Sequence, residues 1–78
     1  MKFAQYFLTM RQWPDRSPIE LAWIVWAVQQ PIREELQADG RIRRWAAISE
    51  AEGRILRVIL LADGETVHNA FFDRGFKP

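Results

Sequence analysis

Among the residues of this chain whose types can do chemistry, five form a candidate constellation: Arg33, Glu35, Arg44, Arg57 and His68. Guanidinium forks hold phosphate oxygens in pairs and stabilise charge building up at phosphorus. An imidazole titrates near neutrality and moves protons, and a nearby carboxylate orients it or acts as base. Together they are a kit for a phosphodiester. His68 and Glu35 would handle protons in a metal-independent transfer to a 2′-hydroxyl, while Arg33, Arg44 and Arg57 hold phosphate. The same residues also suit an ordinary solvated sheet face, with Glu35 and Arg44 forming a cross-strand ion pair.

Other chemistries are poorly supplied. Cysteine is absent, which excludes disulfides, thiol nucleophiles and thiolate metal sites. A single histidine makes a His-based zinc site unexpected. No glycine-rich phosphate loop, GxSxG or HExxH motif is present, so no cofactor or metal is expected. The net charge of +1 gives no global attraction to polyanions, although residues 41–78 hold seven basic and five acidic side chains against four and five in residues 1–40. Arg41-Ile42-Arg43-Arg44-Trp45 is a basic–aromatic cluster of the kind that binds RNA. In a strand, however, Arg41 and Arg43 point one way and Arg44 the other.

The elements that must position these groups are legible in outline. Asp39-Gly40 and Asp63-Gly64 are two-residue hairpin signals, and Glu50-Ala51-Glu52-Gly53 reads as a looser loop. They divide the second half into strands near 32–38, 41–49, 54–62 and 65–73, an antiparallel meander. Two-residue loops would pair Ala38 with Arg41 and Ala62 with Glu65, and a four-residue loop would pair Ser49 with Arg54. That register puts Arg33, Glu35, Arg44, Arg57 and His68 on one face with Ala46, Ala70 and Phe72. Arg43, Trp45, Asn69 and Phe71 go to the other face, beneath a helix. Asn69 would there satisfy buried backbone groups, and Asp73-Arg74 would close an ion pair at the end of the last strand, or else present Arg74 to phosphate. The tail from Gly75 is expected to fray.

Two helices precede the strands. Phe3, Tyr6, Phe7 and Met10 follow i, i+3, i+4, i+7 spacing, which predicts a short helix over 3–12, with a strand as the alternative. The run Ser17–Val28 opens with a cap (Ser17), a first-position proline (Pro18) and a capping-box acid (Glu20), and Pro31 ends it. Trp13-Pro14-Asp15-Arg16 is the turn leading in. This helix is apolar nearly all round. Leu21, Ile24, Val25 and Val28 form an aliphatic face suited to the sheet; Ile19, Ala22, Trp23 and Trp26 form a second. Trp23 and Trp26 therefore need the first helix or a second copy as cover, and a homodimer through them is the expectation. The expected fold is a single α+β domain over 1–78: a short helix and a long apolar helix on a four-stranded antiparallel meander. The apolar run is too short to span a bilayer and the N-terminus lacks signal-peptide features, so a cytoplasmic location is expected.

The segments Gln37–Trp45, Gly53–Val58 and Glu65–Arg74 resemble a family of short bacterial hypothetical proteins, and the likeness extends to the Trp-Pro-Asp-Arg turn and the capped helix. More distantly, helices followed by a four-stranded meander are similar to the RelE/BrnT-like toxin superfamily. That resemblance implies an RNA-binding or RNA-cleaving domain, acting on RNA or the ribosome and neutralised by an antitoxin-like partner. The alternative from the residues is a non-catalytic, homodimeric protein-interaction module.

Overall fold

The structure, a computed structural model, describes residues 1–12 and 19–77. Its elements are β1 (Lys2–Phe3), α1 (Gln5–Met10), α2 (Leu21–Gln29), β2 (Arg33–Leu36), β3 (Ile42–Ile48), a 3-10 turn (Ser49–Ala51), β4 (Arg54–Leu60) and β5 (Thr66–Phe72). The sheet has five strands in the order β1-β5-β4-β3-β2. Strand β1 pairs with β5 in parallel, and the other neighbours are antiparallel. The expected four-stranded, purely antiparallel meander is thus corrected. The extra strand comes from the aromatic N-terminus: Phe3 sits in β1 rather than in the helix. The Lys2 N–H donates to the Glu65 carbonyl at 3.0 Å and the Ala4 N–H to the Val67 carbonyl at 2.8 Å. Phe3 then stacks on Phe7, with ring centroids 5.5 Å apart.

The register differs from the expected one for a local reason. A two-residue type I′ turn needs positive φ at both central residues. Here Gly40 and Gly64 have it, but among the described residues Glu52 is the only non-glycine that does. Asp39 instead accepts the Arg41 N–H on its carboxylate at 3.0 Å, and Gln37 pairs with Arg41 around a three-residue loop. On the other side of β3, Glu52 and Gly53 are both left-handed, and a five-residue loop pairs Ile48 with Arg54. Both loops exceed expectation by one residue. Since side chains alternate with period two, the whole of β3 turns over. Ile42, Arg44, Ala46 and Ile48 face the helices; Arg43, Trp45 and Ala47 face away.

At Asp63-Gly64 the expected pairing of Leu60 with Val67 holds, and a β-bulge follows between Ile59 and Leu60. His68 is the additional residue, so that Val67 and Ala70, three apart, both enter the core at no more than 1% exposure. Beyond the bulge β5 is inverted too. Ala70 and Phe72 go beneath the helices, whereas Asn69 and Phe71 go to the open side, the reverse of the expectation.

The core lies between this face and the two helices. Phe7 and Met10 of α1, Ile24 and Ala27 of α2, and Leu56, Val58, Leu60 and Val67 of the sheet are buried. Small Ala46 and Ala70 let the helices approach. Helix α2 ends as Pro31 requires, with Gln30 non-helical at φ −132° and ψ 56°. Its first residue is Leu21, preceded by Glu20 in extended conformation without a side-chain cap. The expected caps Ser17 and Pro18, and the Trp13–Arg16 turn, lie outside the described residues. The helix buries one stripe rather than two faces: Trp23 and Val28 flank Ile24 and Ala27, while Leu21 and Trp26 point outward at 46% and 53% exposure. Among the described residues no helix is long and apolar enough to cross a membrane.

Candidate nucleic-acid interface

On the face away from the helices, the register sets one continuous row across four strands. Arg33 pairs with Trp45, Trp45 with Arg57, and Arg57 with Phe71. Cation and ring alternate, and each guanidinium lies over a ring. The Arg33 guanidinium carbon is 5.8 Å from the Trp45 centroid, and that of Arg57 is 4.5 Å from the Phe71 centroid. The adjoining row is Glu35–Arg43–Ile59–Asn69.

Trp45 is buried although no helix covers it. Phe76 of the C-terminal tail packs on it at 5.6 Å, and Arg33 reaches over both rings while donating to the Lys77 carbonyl at 3.2 Å. The Trp45 indole N–H donates to Asp73 Oδ2 at 3.0 Å, and the same oxygen meets Arg57 Nη1 at 3.5 Å. The tail expected to fray is thus held at Phe76 and Lys77. The hydrogen bond from Trp45 is the largest influence on Asp73; with the Gly75 N–H and nearby Arg57 it keeps that carboxyl below its ordinary range. The expected Asp73–Arg74 ion pair is replaced by Asp73–Arg57.

The five sequence candidates separate. Arg33, Glu35 and Arg57 share the open face. Glu35 sits between Arg33 at 2.8 Å and Arg43 at 4.0 Å. Arg44 is on the opposite face, because β3 is inverted. Its Nε holds Glu34 at 2.6 Å and its Nη1 donates to the Val28 carbonyl at 3.0 Å, in the last turn of α2. A cation there complements the helix dipole and satisfies a terminal carbonyl, which is a structural duty. The Glu35–Arg44 pair is accordingly absent. His68, at the bulge, stacks on Tyr6 of α1 at 5.3 Å. Burial, reinforced by Arg41 and opposed by Asp39, lowers its pKa below the ordinary imidazole value. The expected pocket of Glu35, Arg44 and His68 side by side does not form.

Trp45, Phe71, Phe76 and Arg54 were not among the sequence candidates. The signal for Trp45 was present in the Arg41–Trp45 cluster, whose expected split holds: Arg43 accompanies Trp45 and Arg44 leaves. The only hint for Phe76 was an aromatic residue in a short polar tail. Among the described residues no group of three or more metal-ligating side chains converges. Comparison of the chain with protein-family models, with curated proteins and with solved structures finds no match, so the chemistry of this face stands on its geometry alone.

Proposed function

We propose that the open sheet face binds single-stranded RNA, without cleaving it. The carrying observation is the Arg33–Trp45–Arg57–Phe71 row. Single-stranded nucleic acid is bound where cations track the phosphates while bases stack on rings or guanidinium planes. Arg33 and Arg57 each supply a charge and a planar guanidinium stacked on a ring, with Arg33 also held by Glu35 and the Lys77 carbonyl and Arg57 by Asp73. Arg43 adds a third charge. The test is a fluorescence-anisotropy titration with a single-stranded RNA of roughly ten nucleotides. Wild type should bind with salt-dependent affinity, and R33Q/R57Q should lose about tenfold or more. Absence of binding overturns the proposal. Shortening of the RNA by wild type but not by H68A restores His68 to a proton-transfer role and overturns the non-catalytic half.

A specific observation favours a second reading, self-association through α2. Trp26 is 53% exposed beside a cleft of about 510 Å³ lined by Ala22, Trp23, Ala47 and Ile48. A ring of this size left in water on an apolar helix is what a second copy would cover. Sedimentation at high micromolar concentration decides it, and a monomer ends it.

A further inference from the structure

Just past Phe71, where β4 begins and β5 ends, a cleft of about 640 Å³ wraps round the end of the sheet from the open face to the side of Phe72 and Arg54, lined by none of the five constellation residues. Its walls are aromatic, from Phe71, Phe72 and Phe76, and its charges are Arg54 and Arg74. Arg54 is pre-organised. Its guanidinium carbon lies 4.2 Å from the Phe72 centroid, and its Nε donates to the Ala51 carbonyl at 3.1 Å. The Nη1 and Nη2 groups have no ion-pair partner among the described residues, and neither has the Arg74 guanidinium. The carboxylate on the cleft, Asp73, spends Oδ2 on Trp45 and Arg57 and Oδ1 on the Gly75 N–H at 3.0 Å. Two arginines therefore remain uncompensated between aromatic walls, in a volume that suits one small ligand.

We infer that this cleft holds a phosphate-terminated nucleotide: the end of the single strand whose body lies on the open face. The inference rests on the RNA-binding proposal and names its preferred substrate. A terminal phosphomonoester carries a charge of about −1.5 to −2 at pH 7, more than the single charge of an internal diester. Two unpaired guanidiniums match the former, and Arg forks bind its oxygens in pairs. The phenylalanine walls take the attached nucleoside. Phe71 belongs to both the row and the cleft, and Phe76 lines the cleft while packing on Trp45 of the row, so an end nucleotide here is continuous with bases on Arg57.

The test compares one RNA sequence carrying a 5′-phosphate, a 3′-phosphate or hydroxyls at both ends, bound to wild type, R54Q and R74Q. A chemical-shift titration with adenosine monophosphate locates the contact. Wild type should prefer one phosphorylated form over the hydroxyl-ended strand by about tenfold, and which end it prefers identifies the strand's polarity. Each variant should lose that preference while binding the hydroxyl-ended strand within about twofold of wild type. Circular dichroism of both variants checks that they are folded. Equal binding of all three RNAs by wild type overturns the terminal-phosphate inference and leaves the sheet-face proposal standing. A preference that survives in both variants also overturns it. Absence of binding to any RNA removes the sheet-face proposal and this inference with it.

Discussion

On the helix side of the sheet, Leu56, Val58, Leu60 and Val67 are fully buried aliphatic side chains beneath α1 and α2. On the opposite side Trp45 is 4% exposed with no helix above it, covered by Arg33, Phe76 and a hydrogen bond to Asp73. The same strands thus exclude water from their two faces by different means. One face relies on non-directional burial, which scales with area. The other relies on directed contacts among planar groups, each dependent on a partner's position. The open face therefore gains less from its cover than the core does, and keeps charged donors at its surface that a ligand can engage.

Breaking the helix side should have the largest effect. Leu56→Ala, at a fully buried position, is expected to cost about 3 kcal/mol by urea denaturation. A loss below about 1 kcal/mol would place the main core elsewhere. On the open face, Asp73→Ala strands the Trp45 indole N–H and removes the partner of Arg57, at an expected cost of about 1–2 kcal/mol. The tail should loosen with it, visible as faster amide exchange at Phe76 and Lys77. A cost as large as that of Leu56→Ala would erase the contrast between the faces.

The smallest effect belongs to the Asp63 turn, which serves both faces. Hydrogen bonds from the Thr66 hydroxyl and from the Glu65 and Thr66 N–H groups lower the Asp63 carboxyl from 3.8 to about 2. A depressed carboxyl contributes stability above its unfolded-state value and loses that contribution as pH falls through its folded one. Wild type should thus lose stability between pH 3.8 and about 2, and D63N should show a shallower acid slope across that window. Identical slopes would mean that these bonds do not hold the turn in solution.

Much of the element list was legible in the residues. Four strands between the two Asp-Gly turns and the Glu52-Gly53 loop and an apolar helix stopped before Pro31 follow from spacing and turn chemistry, and of the stripe Phe3, Tyr6, Phe7 and Met10 the helix α1 buries Phe7 and Met10 but leaves Tyr6 exposed. Edge strand β1 was less legible, since Phe3 fits a helical stripe as well as a strand. The candidate site was legible only in its parts. Arg33, Glu35 and Arg57 share a face by their positions in β2 and β4, but the turn signals alone put Trp45 and Phe71 beneath the helix and leave Phe76 in the tail.

What the chain determines locally is where its strands and helices lie, because hydrophobic period, proline and glycine act over a few residues. Tertiary structure decided which way β3 and the end of β5 face. That choice turns on whether Asp39 takes positive φ and whether β5 accommodates an extra residue at His68, and Asp-Gly alone specifies neither. The packing that favours Ala46, Ile48, Ala70 and Phe72 beneath the helices selects the outcome. With period-two alternation, a change of one residue then carries Trp45 and Phe71 out to meet Arg33 and Arg57, and carries Arg44 inward to the end of α2.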